Sequence, residues 1–342
     1  MNTMLQAYVP RAHEMAFREI ERPVPSAGEV VIKVSRIGIC GSDIHAFKGK
    51  HPIVSFPLTP GHEFSGYIEE LGPEVEGWSK GDLVTVEPAI GCGTCPKCQV
   101  GLIGQCNTLQ FIGGGLPGAG SPLFKVNQKQ VVKFPQEVGP DDSAMTEPLA
   151  VAIHAVQKIS DLNYKNVFIA GGGTIGLLVA QVSRLSGASR ILISEKQDYR
   201  AQIARKLGLA TVSPNPALEK EIIQFFGAVP KVTFECVGAE APLNTCIHVV
   251  ERGGYVIVAG VYEEPPKTDM VQVQDKEINL SGTLMYTFDD FRKAADWITK
   301  KKVTLSPLQT HHFPFRQWGE AYRFIESPQS DYLKVFIDMD EP

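Results

Sequence analysis

Asn166-Val167-Phe168-Ile169-Ala170-Gly171-Gly172-Gly173-Thr174-Ile175-Gly176 is the stretch on which the reading of this chain turns. The apolar residues 167–170 read as a short buried strand, and the apolar-periodic run 177–185 beyond the glycines reads as a helix. Alone, G-x-G-x-x-G says little. Set between a strand and a helix it is a dinucleotide fingerprint, in which Gly171 permits the tight turn, Gly173 lets backbone approach a pyrophosphate and Gly176 lets helix pack on strand. Thr174 and Ile175 open that helix, whose unpaired N–H groups suit phosphate oxygens.

Beyond the helix, residues 190–194 read as a second strand that ends at Glu195, about twenty residues past the fingerprint, where an acid binds a ribose diol. A carboxylate there repels a 2′-phosphate, so NAD is expected over NADP. Lys196 and Arg200 stand close by, and Arg200 joins the expected cofactor-binding residues; the plainer alternative for both is a solvated basic patch. Strands at 231–235, 254–259 and 278–281 and a helix at 242–250 continue the alternation. Such alternation predicts an α/β fold, a doubly wound parallel sheet of Rossmann type. Cys236 and Cys246 have no metal-like spacing and read as inert core thiols.

The first half of the chain differs. Short apolar runs at 5–9, 15–20, 30–34, 67–71 and 83–86, separated by Pro and Gly, read as strands of an all-β unit. Within it lie Cys40-Gly41-Ser42-Asp43-Ile44-His45 and Pro60-Gly61-His62-Glu63-Phe64-Ser65-Gly66. Taken singly, Cys40 reads as a small buried thiol, His62 as a core histidine and Glu63 as a solvated acid. Presented together from loops and strand ends, they form the mixed sulfur, nitrogen and oxygen set that suits a catalytic zinc with one open position. Cys92-x2-Cys95-x2-Cys98-x7-Cys106 is a second set. Four thiolates saturate a tetrahedral zinc and leave nothing for substrate, so this metal is expected to be structural; two disulfides or an iron–sulfur cluster are the alternatives.

Length and composition bound these readings. A chain of 342 residues exceeds one growing core and predicts about two domains. A net charge of -5 without a long basic run gives no footprint for nucleic acid. No apolar run approaches the roughly 18 residues of a membrane span, so no membrane association is expected. Met1 to Gln6 shows no secretory pattern, which makes a cytoplasmic protein the expectation. Seven cysteines in a reducing compartment fit metal ligation better than disulfides.

The run Gly61-His62-Glu63-x2-Gly66-x5-Gly72-x2-Val75 resembles the signature of the zinc-containing medium-chain alcohol and polyol dehydrogenases at every fixed position. Cys40-Gly41-Ser42-Asp43-x-His45 resembles the companion motif, and the four-cysteine run resembles the structural-zinc lobe of the same family. The resemblance spans nearly the whole chain. It implies a GroES-like β-barrel catalytic domain at 1–150 and 285–342, a Rossmann NAD-binding domain at 151–284, two zinc ions per chain and a homodimer or homotetramer. It also implies that Ser42 and His45 relay a proton and that Asp43 orients His62, against the plainer role of Ser42 and Asp43 in helix capping. Glu147-Pro148 resembles the Glu-Pro segment of the polyol and threonine branches, which places Glu147 at the catalytic zinc, directly or through water; otherwise it is a first-turn carboxylate favoured by a helix dipole. His154, His311 and His312 are expected to pack rather than to ligate.

A metal with an open position polarises a hydroxyl while a nicotinamide accepts hydride from the adjacent carbon. The expected substrate is a polyol, a sugar acid or a related sugar derivative. The resemblance argues against sorbitol, because sorbitol dehydrogenases carry a Tyr after the relay His and an Arg before Tyr286, where this chain has Ala46 and Met285. It also departs at Gly118-Ala119-Gly120-Ser121-Pro122-Leu123-Phe124, where the family commonly reads Gly-Gly-Phe-Ala-Glu-Tyr. An L-threonine 3-dehydrogenase-like enzyme and a non-catalytic NAD- and zinc-binding protein are the competing readings.

Overall fold

A computed structural model describes residues 3–51 and 54–339. Met1 and Asn2, at the N-terminus read above for a secretory pattern, and residues 340–342, at the end of the expected catalytic domain, lie outside the described residues. The chain forms two compact units, Met1–Ala150 with Tyr286–Pro342, and Val151–Met285.

In the first unit the organising element is the strand Glu29–Gly38, with Val30, Val31, Ile32, Val34 and Ile37 fully buried. β-Branched side chains suit a pleated surface packed on both sides. This strand pairs antiparallel with Glu63–Leu71, Leu123–Asn127 and Lys334–Asp338. The sheet continues through Leu83–Val86 to Val131–Phe134 on one side and to Gln309–Pro314 on the other. Register shifts between Val31 and Ile32 and between Val34 and Arg36 bend the strand, which lets one segment serve three partners. Gly66 is required by the pairing, since a Cβ there would lie 2.2 Å from the Lys33 carbonyl oxygen.

Two features depart from the expected pattern. The run after Cys40 is not a loop but a helix, Gly41–Phe47, with Cys40 at its N-cap. From Tyr286 onward the chain carries helices Phe288–Thr299 and Trp318–Glu326 as well as the strands Gln309–Pro314 and Lys334–Asp338. The second of these spaces Trp318, Ala321 and Tyr322 along one face, a period easily hidden by its charged neighbours. That face is buried, and Tyr322 meets Phe47 with ring centroids 4.8 Å apart. Truncating a side chain the size of Trp318 here costs about 3–5 kcal/mol.

The second unit is a six-stranded sheet, parallel throughout, in the order Ala210–Val212, Arg190–Ser194, Asn166–Ala170, Val232–Glu235, Tyr255–Val258, Asn279–Gly282. Phe168, Leu192, Ile222, Phe226, Ile247 and Val256 belong to one core. The strand order reverses direction beside Asn166–Ala170, and ligands of doubly wound sheets bind outside the carboxyl ends of the strands at that point.

Candidate functional site

Gly38 and Glu63 face each other in the register of the two central strands, and the chain leaves Gly38 through Ile39 to Cys40. His62 immediately precedes the partner strand. These local paths bring Cys40 Sγ, a His62 ring nitrogen and a Glu63 oxygen within 4.8 Å of one another, although the residues come from two segments. His62 and Glu63 are buried, and Cys40 is half-buried. Asp43 binds both sides of this arrangement. Its Oδ2 accepts the Cys40 N–H at 2.9 Å, and its Oδ1 lies 3.4 Å from His62 Nδ1. Burial disfavours an imidazolium, but Asp43 outweighs it and holds the His62 pKa well above the ordinary histidine value. Asp43 therefore caps the helix and stands against the ring.

Behind Glu63 lies Lys334, buried to 3 % exposure, whose Nζ donates to Glu63 Oε2 and to the Ile39 carbonyl at 3.1 Å. Burial penalises the ammonium, but Glu63 reverses the effect and raises its pKa. Glu147, in the first turn of the helix Thr146–Gln157, is also buried and lies in the field of His62, Glu63 and Lys334. Desolvation, reinforced by Glu63, pushes its pKa up to about 7. The buried Tyr286 hydroxyl faces Glu147 and Glu87 without completing a hydrogen bond of good geometry. Glu87 is buried too, and desolvation raises its pKa to about 8 against the opposing effect of Arg292.

The donor set fits zinc. A thiol, an imidazole and a carboxylate converge, and a second carboxylate stands alongside with Lys334 paired to the first. A divalent cation offsets the remaining negative charge that burial would otherwise force into protonation. Ser42 and His45 lie on the helix Gly41–Phe47 three residues apart, hence on one face, and both are half-buried.

The four cysteines of the second set also converge, with Cys92, Cys95, Cys98 and Cys106 sulfurs mutually within 4.8 Å. Backbone amides point at them: Cys95 N–H at Cys92, Cys98 N–H at Cys95 and Cys92 N–H at Cys106, at 3.3, 3.4 and 3.4 Å. Hydrogen bonds from Thr94 and the backbone pull the Cys92 thiol down to about 5, while burial pushes Cys98 up to about 11. All four thiols are free, so no disulfide closes this lobe, and donors aimed at sulfur fit thiolates around a metal.

In the second unit a cavity of about 430 Å³ is lined by Gly171, Gly173, Glu195, Lys196 and Arg200 among others. Gly171 adopts φ +104°, and a Cβ on Gly176 would fall 1.9 Å from the Gly171 carbonyl oxygen. Thr174 and Ile175 form the first turn of the helix Thr174–Leu185. Buried Glu195 accepts the Gly172 N–H at 2.8 Å on one oxygen and the Gln197 N–H at 2.7 Å on the other. The Arg200 guanidinium comes to 3.8 Å from where a Gly173 Cβ would stand. Cys236 borders this cavity, but burial holds its thiol and that of Cys246 well above the usual range. His311 packs on Phe324 with ring centroids 4.6 Å apart and the planes tilted by 48°, and His312 pairs with Asp338 at 2.8 Å; neither is among the converging ligands.

Sequence reasoning misses Lys334, Tyr286 and Glu87 as neighbours of the site. Lys334 left one legible trace, a single charge within Leu333-Lys334-Val335-Phe336-Ile337, where a lysine inside a buried strand demands a buried anion. Its partner, 271 residues away, is not legible. Among the described residues no helix is long and apolar enough to cross a membrane.

Comparison with known proteins places this geometry among relatives. The profile of the alcohol dehydrogenase GroES-like domain matches residues 26–136, and that of the zinc-binding dehydrogenase domain matches residues 174–300. A 2-dehydro-3-deoxy-L-galactonate 5-dehydrogenase of Pseudoalteromonas atlantica is 35% identical over 92% of each chain. A sorbitol dehydrogenase of Halalkalibacterium halodurans is 32% identical over 97% of this chain and 99% of its own. Among solved structures, a zinc-binding dehydrogenase from Sinorhizobium meliloti 1021 bound to NADP superposes with a TM-score of 0.90 at 26% identity, over 99% of this chain and 100% of that one. An alcohol dehydrogenase from Escherichia coli CFT073 complexed with NADH gives 0.91 at 26%, with the same coverage.

Proposed function

We propose, for a chain that belongs to the zinc-binding alcohol and polyol dehydrogenases with a GroES-like domain, that it moves hydride from a secondary alcohol carbon of a polyol or sugar acid to NAD. The observation that carries this reading is the buried convergence of Cys40, His62 and Glu63 with Glu147 beside them. These residues would hold a catalytic zinc, with Glu147 as an alternate or water-mediated ligand. Such an ion supplies Lewis-acid polarisation of the substrate hydroxyl.

The chain's own residues do the rest. Asp43 fixes the orientation of the His62 ring, and Lys334 offsets the charge of Glu63. Ser42 accepts the hydroxyl proton and His45, one helical turn on, hands it to solvent, a task that an imidazole with two ring nitrogens can perform. The overall balance is secondary alcohol plus NAD⁺ to ketone, NADH and one proton, and the relay disposes of that proton. A second zinc held by Cys92, Cys95, Cys98 and Cys106 would pin its lobe without chemistry.

Preference for NAD rests on Glu195, which is buried at the cavity wall and held there by two backbone amides. A 2′-phosphate would meet that carboxylate, while Lys196 and Arg200 at the same wall are the basic groups that weigh the other way. The sugar-acid and sorbitol relatives support the substrate class. A homodimer or homotetramer in the cytoplasm completes the proposal.

A panel of hexitols, pentitols, aldonates, keto-deoxy sugar acids and L-threonine, scored for NADH and NADPH formation by zinc-loaded protein, tests it. NADH formation from a polyol or sugar acid is expected. Turnover of L-threonine alone, or no turnover with any member, overturns the substrate reading.

A further inference from the structure

Glu63 stands in an arrangement that its role as a ligand does not by itself require. Its strand partner across the sheet is Gly38, and a Cβ on Gly38 would lie 2.4 Å from Glu63 Oε2 and 3.3 Å from Lys334 Cδ. The missing side chain makes the space that this carboxylate oxygen and the lysine stem share. Lys334 is delivered there by the C-terminal strand, where Val335 accepts the Ile39 N–H at 2.9 Å and Phe336 pairs with Gly38. Its Nζ is held from two sides, by Glu63 Oε2 and by the Ile39 carbonyl. Both charged groups are nearly inaccessible, Lys334 at 3 % and Glu63 at 1 % exposure.

We infer that Lys334 is a positioning residue that takes one oxygen of Glu63 out of the metal's reach, so that Glu63 ligates through a single oxygen and one position stays open for substrate. This rests on the assignment of Cys40, His62 and Glu63 as the metal-holding set. The physical reason is competition for lone pairs. With both oxygens free a carboxylate can take an ion with both, so that Cys40, His62 and Glu63 would supply four donors and a water or substrate oxygen could enter only as a fifth. An ammonium locked onto Oε2 withdraws charge and direction from that oxygen. Removal of an outer partner that makes a ligand more basic typically costs 10–100-fold in metal affinity. Lys334 acts with the opposite sign, so its removal is expected to tighten binding by a comparable factor.

The test uses the full chain with cobalt in place of zinc at this site. Wild-type protein and Lys334→Met are compared by ligand-field absorption and by competition with a chromophoric chelator, with Lys334→Arg as the charge-retaining control. Expected are a four-coordinate spectrum for wild type and Lys334→Arg, and a weaker spectrum of higher coordination with roughly tenfold or greater tightening for Lys334→Met. Unchanged spectrum and affinity in Lys334→Met, or loosened binding with the four-coordinate spectrum kept, overturns the inference. Should Lys334→Met not fold, a crystal structure of zinc-loaded wild type decides: one Glu63 oxygen on the ion and the other on Lys334 supports it, and two oxygens on the ion refutes it. A wild-type chain that binds no ion through Cys40 and His62 overturns the metal assignment itself, whereas an ion bound there by a bidentate Glu63 overturns only the role of Lys334.

Discussion

Replacing Glu87 by glutamine should remove one defined share of the stability that the chain loses between mildly acidic and alkaline pH. Glu87 sits just past the strand Leu83–Val86 at 4 % exposure, and its Oε1 has no hydrogen-bond partner. Burial raises its pKa from 4.5 to about 8, against the pull of Arg292. An unfolded chain therefore releases this proton near pH 4.5 while the folded chain keeps it to about pH 8. Between those values the folded state binds more protons, so stability falls as pH rises, by about 1.4 kcal/mol per unit. The contribution is fully present below pH 4.5 and fully lost above about 8; a window of about 3.5 units is worth about 5 kcal/mol at most.

Glutamine keeps the shape and cannot ionise. The assay is the thermal midpoint of zinc-loaded wild type and Glu87→Gln from pH 5 to 9, in which the pH dependence of zinc binding is common to both proteins and cancels in the difference. The gap between them should widen with pH, in favour of Glu87→Gln, to roughly 10–20 °C by pH 9 at about 2–4 °C per kcal/mol. Parallel curves across that range would refute the assignment of Glu87 as a buried, protonated acid.

Cys40→Ser should reduce turnover at least a thousandfold, on the order expected when a catalytic ligand set is broken, with NADH affinity by fluorescence titration unchanged; retained turnover contradicts the metal reading. Cys95→Ser should lower the thermal midpoint and expose the lobe to protease while zinc content falls by one ion per chain. A variant that stays folded and protected but loses its rate contradicts a purely structural metal there. Gly176→Ala places a methyl 1.9 Å from the Gly171 carbonyl oxygen, so the turn must open. NADH binding should weaken by two orders of magnitude or more, about 3 kcal/mol, and wild-type affinity would show that the turn is not part of the cofactor site.

Helix Gly41–Phe47 shows why part of the candidate site is hard to read from residues alone. Seven residues are too few to display a 3.6-residue period, and Gly and Ser at its start read equally well as loop. Only the Asp43 side chain on the Cys40 amide marks the cap. Trp318–Glu326 was obscured for a related reason: its apolar face is interrupted by charges that lie on the solvent side. By contrast Asn166–Ala170 and Thr174–Leu185 announce themselves, because a strand buried on both faces must be apolar throughout and the glycines at the turn have no substitute.

What the sequence by itself determined is local: the glycine turn between strand and helix, the ligand types at 40, 62 and 63, the four thiols from 92 to 106, and the alternation that demands a parallel sheet. The glycine turn and the four thiols are each dictated within about fifteen residues by sterics or by the chemistry of one side-chain type. Only the tertiary structure decided which charges share the buried site. Lys334 reaches Glu63 across 271 residues because two strands flank Glu29–Gly38 and a glycine leaves room between them, and Glu147 and Tyr286 come face to face from opposite ends of the intervening unit's sequence. Burial makes each of these groups sensitive to the charge of its neighbours, and burial is a property of the folded chain that no short window of residues contains.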